Sequence, residues 1–165
     1  MDEVDRIIAA WHTERPGLNT EPLAVLSRVS RLARHLDLAR RHCFAVHGLE
    51  IWEFDVLAAL RREGPPYELS PGELIRQTLS SSGTMTNRID RLAGRGLVER
   101  RSNPDDRRGV RVRLTTSGAD LVGAALDDLI DYERGVLDAL EPGARRELAT
   151  ALGSLLAGFE TPAED

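Results

Sequence analysis

The sequence has no lysine among its 22 basic residues, a single cysteine and only seven aromatic residues. Cys43 has no second cysteine with which to form an internal disulfide, as we expect of a cytoplasmic protein. Because aromatic side chains are so few, the core must consist mainly of Leu, Val, Ile and Ala. No apolar run approaches the roughly 18 residues of a transmembrane helix, and the acidic start, MDEVD, differs from a signal peptide. The sequence therefore predicts a cytoplasmic protein with no membrane partner.

The charge is unevenly distributed. The formal net charge of −5 by itself disfavours a nucleic-acid binder. Residues 81–113, however, contain nine arginines and four acids, a local charge of +5, whereas residues 116–165 contain three arginines and eleven acids, a local charge of −8. The attraction of phosphate depends on the local field and not on the average. The middle of the chain is therefore a candidate nucleic-acid surface, with a solvated charged face as the alternative.

Hydrophobic periodicity predicts helices in the first half of the chain. Apolar residues recur at helical spacing over residues 2–14 and 21–45, and the segment GLEIWEFDVLAALRREGPP is a third helix, apolar on nearly all sides, that belongs in a core. In SPGEL, Ser70 is a predicted N-cap, Pro71 the first helical residue and Glu73 the partner that completes a capping box.

The helix that begins at Pro71 must be short, because LSSSG interrupts it. Ser81 or Ser82 then begins a new helix that is predicted to end at Gly96. Two helices joined by a brief polar turn form a helix-turn-helix. Strands LVERR and GVRVRL follow, and the second alternates Val110, Val112 and Leu114 with Arg111 and Arg113.

Two further helices complete the chain, one capped by Thr115 or Thr116 and running to about Leu140, the other from Pro142 to about Phe159. The predicted fold is therefore mainly α with a small β-hairpin wing. A hairpin that directly follows a helix-turn-helix makes a winged helix-turn-helix.

The segment SSGTMTNRIDRLAGRGLVERRSNPDDRRGVRVRLTTSG resembles the MarR family of bacterial transcription regulators. The shared features are Gly96-Leu97-Val98, Asp106-Arg107-Arg108, Val110 through Val112, and Leu114-Thr115 with Gly118. The resemblance covers roughly residues 25–160 and implies an obligate homodimer. It implies N-terminal dimerisation helices over 1–48, a DNA-binding lobe over 49–115 and C-terminal dimerisation helices over 116–165.

Apolar stripes on the last two helices support the dimer. They are longer than one small winged helix can cover, and comprise Val122, Leu126, Leu129, Val136, Leu140, Leu148, Leu152 and Leu155. A two-fold dimer predicts double-stranded DNA with a pseudo-palindromic operator as the partner, its half-sites about one turn, roughly 10 bp, apart.

The second helix of the helix-turn-helix is the predicted recognition helix. Met85, Ile89, Leu92 and Ala93 share its core-facing side, and small polar groups occupy the other. Hydroxyl and amide groups at a helix N-terminus suit the major groove, although an ordinary exposed face is the alternative. The candidate DNA contacts on this helix are Ser81, Ser82, Thr84, Thr86, Asn87 and Arg91.

The wing supplies further candidates. Arg108 aligns with the wing-tip arginine of the MarR family, which implies insertion into the minor groove, where arginine is favoured. Asp106 would orient arginine side chains or bind turn amides. Arg107, Arg111 and Arg113 would contact phosphates, which position a protein without reading sequence. Alternatively, Arg111 and Arg113 face solvent and contact no DNA, and the sequence favours neither possibility.

Asp55 and Arg88 are candidates for a ligand site. Asp55 lies on the nearly apolar helix and needs a partner, because a half-buried carboxylate is costly without one. Arg88 lies at the rim of the recognition helix, so a contact with Asp55 would join the core to that helix. A permanent salt bridge is the alternative.

The N-terminal helix with Trp11, together with FDVLAALRR and TNRIDRL, resembles the urate-responsive branch of the MarR family. In that branch a tryptophan, an aspartate and two arginines form an anion pocket. The matching residues are Trp11, Asp55, Arg88 and Arg100. The resemblance implies a repressor released by a small organic anion such as urate. Other anions remain open, as do a regulator with no ligand and a Trp11 that only packs in the core.

Other functions have weaker support. Cys43, with His42 and His47 nearby, permits a redox sensor or a metal site, but the four histidines are scattered and no second ligand cluster is evident. A winged helix that binds only proteins is a further alternative. We expect neither a cofactor nor enzymatic activity, because the chain has no nucleophile–base pattern and no glycine-rich phosphate loop.

Overall fold

The computed structural model of the chain describes residues 1–78, 81–102 and 109–160. The structure consists of two compact units, one spanning Met1–Ala125 and the other beginning at Leu126. The helices are α1 (Glu3–Glu14), α2 (Glu21–Val46), α3 (Ile51–Glu63), α4 (Pro71–Thr78), α5 (Ser82–Gly94), α6 (Thr116–Leu137) and α7 (Pro142–Glu160). The strands are β1 (Glu68–Leu69), β2 (Val98–Ser102) and β3 (Val110–Leu114). The predicted order of helices and the mainly α fold with a small wing are confirmed.

Helix α3 forms the centre of the first unit, as its apolar sequence predicts. Val56, Leu57, Ala59 and Leu60 are fully buried in it. The ring of Phe54 stacks on that of Phe44 in α2, with 4.0 Å between centroids. Burial of four such side chains removes most of the apolar surface of this helix from water, which is the main favourable contribution to folding.

The helix-turn-helix consists of α4 and α5. The predicted capping box begins α4: the Glu73 backbone N–H donates to Ser70 Oγ over 3.2 Å, and the Ser70 N–H donates to Glu73 Oε2 over 2.7 Å. Ser81 is the N-cap residue of α5, which ends two residues before Gly96. The core side of α5 holds Met85, Ile89 and Leu92, all buried.

The wing contains three antiparallel strands in the order β1-β3-β2, not the two-stranded hairpin that the sequence predicts. Strand β1 has two residues, Glu68 and Leu69, which is too short for an alternating pattern to reveal. The alternation of β3 holds, since Val112 is buried between two half-buried arginines. Val110, at the far end of β3, is 37% exposed, so the core covers only the base of the wing.

Thr115 locks the beginning of α6 against the turn between α5 and β2. Its Oγ1 donates to the Gly96 carbonyl over 2.8 Å and accepts from the Gly118 N–H over 3.1 Å. Its own N–H donates to the carbonyl of Leu97 over 3.1 Å. Thr115, rather than Thr116, is therefore the capping residue, and these hydrogen bonds hold the first turn of α6 beside the turn between α5 and β2.

The unit that begins at Leu126 contains the end of α6 and all of α7. Helix α6 ends at Leu137, three residues before the predicted end, and Arg145 of α7 donates to the carbonyl of Leu140 and pairs with Asp138 over 3.0 Å. The exposed apolar side chains of this unit are Leu126, Ile130, Tyr132, Val136, Leu137, Leu148, Leu155, Leu156 and Phe159. Within the described ranges, every helix is too short or too polar to span a membrane.

Candidate nucleic-acid interface and its neighbouring cavity

The N-terminal end of α5 presents small polar groups to solvent. Ser81, Thr84, Thr86 and Asn87 are all exposed, and Ser81 Oγ lies 2.8 Å from Thr84 Oγ1. The first turn carries no acidic residue. The positive end of the helix dipole is therefore not neutralised locally, which favours a phosphate or another anion at this point.

Three arginines hold α5 to the start of α3: Arg88 and Arg91 lie on one flank of α5, and Arg95 is the residue that caps its C-terminal end. We call these three the arginine row. Arg91 pairs with Glu50 over 2.6 Å, and Arg95 pairs with the buried Glu53 over 2.8 Å. Arg95 also donates to the carbonyl of Gly48 over 3.0 Å. The arginine row therefore adds ion pairs and hydrogen bonds, which depend on direction, to the apolar contacts of α5.

The indole of Trp52 lies beside two members of the arginine row. The guanidinium carbons of Arg88 and Arg91 are 5.3 Å and 4.8 Å from its ring centroid. Trp52 Nε1–H donates to Glu50 Oε2 over 2.9 Å. Hydrogen bonds from Arg91 and Trp52 hold the pKa of Glu50 below its ordinary value.

The position of the Arg91 side chain differs from the one that the sequence predicts. The helical wheel places Arg91 on the groove-facing side, but the long side chain bends back to Glu50 and Trp52. A DNA contact by Arg91 stays a prediction, and it requires this guanidinium to be shared with Glu50 or released from it.

The opposite flank of α5 is tied to the wing. Arg100 of β2 pairs with Asp90 over 2.6 Å. On β3, Arg111 pairs with Glu73 of α4 over 3.1 Å, and Arg113 lies 3.7 Å from Glu68 of β1. The first two pairs brace the wing against the helix-turn-helix, and the third joins two strands within the wing. Phosphate contacts by Arg111 and Arg113 stay predictions. Asp106, Arg107 and Arg108 lie outside the described residues.

A cavity of about 830 Å³ lies beside α5. Residues of α2, α3, α4 and α5 line it, together with residues of the connecting turns, and both predicted ligand residues Asp55 and Arg88 are among them. Trp52 also lines it. The other two predicted ligand residues, Trp11 and Arg100, are not part of this lining. Trp11 is 44% exposed on α1, and Arg100 forms an ion pair with Asp90. The structure thus brings two of the four predicted ligand residues together.

The ion pair of Asp55 is with Arg40 of α2, at 3.3 Å. Burial raises the pKa of Asp55 above its ordinary value, and the charges of Arg40, Arg62 and Arg88 counteract this. Arg88 therefore acts on Asp55 through its charge while its guanidinium lies near Trp52. Sequence reasoning missed Arg40, because no local pattern connects residues 15 positions apart on two different helices.

Cys43 is half-buried on α2. Over the part of the chain that the structure describes, no group of three or more His, Cys, Asp or Glu side chains lies close enough together to hold a metal ion.

A three-stranded wing braced against a helix-turn-helix, with exposed polar groups at the start of α5, defines a winged-helix DNA-binding protein. Residues 47–109 match the family model described as MarR family. The HTH-type transcriptional regulator PecS of Dickeya dadantii is 34% identical over 151 residues, which are 92% of this chain and 91% of PecS. The chain belongs to the MarR family and is a transcription regulator of that family.

Two other proteins illustrate the similarity. The HTH-type transcriptional repressor NicR of Pseudomonas putida is 39% identical over 106 residues, 64% of this chain and 56% of NicR. The structure of a mutant MarR from E. coli complexed with operator DNA superposes with a TM-score of 0.71 at 25% identity, over 83% of this chain and 96% of that one.

Proposed function

We propose that the protein is a homodimeric repressor that binds a pseudo-palindromic operator and releases it when a small organic anion enters the cavity beside α5. The observation that carries this proposal is the position of Arg88, which belongs to α5 and also lines the cavity. A ligand that attracts Arg88 therefore acts directly on the helix that faces DNA.

The DNA contacts follow from the exposed face of α5. Thr84 and Asn87 would reach base edges in the major groove, and Ser81 and Thr86 would contact bases or phosphates nearby. The sequence adds Ser82 as a candidate, and its side chain lies outside the described part of the chain. From the sequence, Arg108 would enter the minor groove, with Asp106 orienting it and Arg107 on phosphate. The structure of MarR complexed with operator DNA supports this proposal, because that protein has the same fold.

Dimerisation would involve residues 1–48 and 116–165, on both sides of the DNA-binding lobe over 49–115 in the sequence. Each unit has exposed apolar side chains that a second copy would cover. On α2 these are Val25, Leu26, Val29, Leu32, Leu38 and Val46. Exposed apolar surface on this scale marks an interaction site.

We expect a dimer in sedimentation equilibrium at micromolar concentration, because these apolar faces are otherwise left in water. The mass should be twice the 18.2 kDa of the chain. A species of monomer mass across the micromolar range would contradict the dimer and, with it, the palindromic operator.

The cavity has the size for a small organic anion and two arginines that would bind one. Its volume lies within the usual range of ligand pockets, roughly 300–1,000 Å³. Arg41 and Arg88 line it together with the acids Asp37, Glu50 and Asp55, so an arriving anion must displace or neutralise a carboxylate. Of these acids Asp55 has a pKa raised by burial, which reduces the cost of protonating it. An anion that draws Arg88 away from Trp52 would disturb the arginine row. Urate is the first candidate because of the resemblance to the urate-responsive branch.

We expect urate or a small organic carboxylate at up to millimolar concentration to weaken operator binding roughly 5- to 150-fold, the usual range for coupled sites. Arg88→Ala should abolish this response, whereas Arg6→Ala, which removes an exposed arginine of α1, should retain it. Fluorescence anisotropy of labelled operator measures both. In a Trp11→Phe background, Trp52 fluorescence reports on the cavity alone. If no anion in the series releases DNA or changes this fluorescence, the cavity has no effector role and the protein regulates without a ligand.

A further inference from the structure

The arginine row brings two like charges together on one helix. Arg88 and Arg91 are three residues apart on α5, a spacing at which like charges face each other and destabilise a helix. Both guanidinium groups lie within 5.3 Å of the Trp52 ring centroid. The face of an indole carries partial negative charge and attracts cations. Trp52 therefore offsets a repulsion that α5 would otherwise carry.

Trp52 is itself held in place by a polar contact. Its Nε1–H donates to Glu50 Oε2, and the other carboxylate oxygen of Glu50 accepts from Arg91 over 2.6 Å. Glu50, Trp52 and Arg91 thus form a closed set of three contacts, in which each residue touches the other two. Arg88 joins this set through the ring of Trp52.

These contacts restrict α5 further than its core does. Met85, Ile89 and Leu92 are buried and close-packed, which fixes the side of α5 that faces the core. Hydrogen bonds and cation–ring contacts depend on direction and distance, so they restrict the rotation of α5 about its own axis. Rotation of a recognition helix decides which side chains meet which base edges.

We propose that Trp52 is a positioning residue for the recognition helix. Through Arg88 and Arg91 it sets the rotation of α5, and this rotation decides the sequence specificity, although Trp52 itself does not touch DNA. This rests on the proposed entry of α5 into the major groove. Phosphate contacts depend less on the rotation of one helix than base contacts do. Loss of Trp52 therefore lowers specific binding and leaves non-specific binding in place.

The test compares two DNA duplexes of equal length: one selected from a random library by the wild-type protein, and one of random sequence. Trp52→Leu keeps apolar bulk and removes the ring face. We expect its affinity for the selected duplex to fall about tenfold, equivalent to about 1.4 kcal/mol, with unchanged affinity for the random duplex and an unchanged salt slope. Trp52→Phe retains a ring face, and its affinity for the selected duplex should stay closer to that of the wild type.

Tyr67→Leu is the matched control. It removes the contact between Tyr67 and Arg61, in which the guanidinium lies 5.1 Å from the ring, away from the arginine row. Its ratio of selected to random affinity should equal that of the wild type. Glu50→Gln provides a second variant with little change in shape, and it should lower the same ratio because Arg91 loses its charged partner.

The proposal is overturned if Trp52→Leu and Glu50→Gln both keep the wild-type ratio. It is also overturned if both duplexes lose affinity equally while the melting temperature falls, because Trp52 then serves stability alone. If the wild-type protein itself fails to distinguish the two duplexes, the proposed sequence-specific DNA binding fails, and the role of Trp52 fails with it. A reduced ratio in Trp52→Leu and Glu50→Gln, with partial recovery in Trp52→Phe, supports it.

Discussion

Replacement of Gly118 by alanine should destabilise the fold by about 3 kcal/mol, at the upper end of the usual cost of overpacking a core. Within a helix, glycine to alanine ordinarily stabilises by about 1 kcal/mol, so the sign is reversed here. A Cβ at Gly118 would overlap the carbonyl oxygen of Leu97 and come within 2.8 Å of Leu114 Cδ1. The Leu97 carbonyl cannot move aside freely, because it accepts from the Thr115 backbone N–H.

Gly123→Ala is the matched control in the same helix. A Cβ there has nothing within 4 Å, so we expect stability unchanged or raised by about 0.5–1 kcal/mol. Thermal denaturation of both variants measures the difference. For a chain of this size, Gly118→Ala should melt roughly 6–12 °C lower than the wild type. Equal melting temperatures for the two variants would contradict the close approach of α6 to Leu97.

The second large effect concerns DNA. Asn87→Ala should weaken operator binding by about 1–3 kcal/mol, because an asparagine amide can pair with both N6 and N7 of adenine in the major groove. Asn87 is exposed, so its removal should leave the melting temperature unchanged. Asn19→Ala, which removes an amide at the start of α2, should bind operator as the wild type does. Unchanged operator affinity in Asn87→Ala would show that Asn87 makes no base contact.

Local patterns in the sequence predicted much of the fold. The capping box of Ser70 and Glu73, the buried side of α5 and the alternation of β3 each depend on residues a few positions apart, whose geometry the backbone fixes. The sequence also singled out Gly118, because it falls within the motif that resembles the MarR family. Its physical role, a close approach between α6 and the carbonyl of Leu97, emerges only from the structure.

The destinations of the arginines could not be predicted in the same way. Arg91 reaches an acid 41 positions earlier in the chain, and Arg40 reaches one 15 positions later. A flexible arginine pairs with whichever carboxylate tertiary packing brings within reach. A helical wheel gives the direction of the Cβ atom but not that of the guanidinium. The sequence therefore grouped Asp55 and Arg88, which both line the cavity, but it missed Arg40 as the ion-pair partner of Asp55 and the inward turn of Arg91.

Strand β1 was missed, and the lining of the cavity was predicted only in part, for related reasons. Two residues cannot display a period of two, so Glu68 and Leu69 carried no strand signal. The cavity depends on four helices meeting, and no single segment encodes it. The contacts of Trp52 with Arg88 and Arg91 depend on the packing of α5 on α3, and no local pattern encodes them.

Competition between the selected operator and a random duplex, followed by fluorescence anisotropy over a series of salt concentrations, tests most directly whether α5 reads DNA sequence. The account predicts a preference for the operator of at least about 10³-fold, the lower end for specific regulators. It also predicts a logarithm of affinity that falls linearly with the logarithm of salt, because phosphate contacts release counterions. Asn87→Ala should keep that slope and lower the preference about 5- to 150-fold, the equivalent of about 1–3 kcal/mol. Equal affinity of the wild type for both duplexes, or affinity independent of salt, would contradict it.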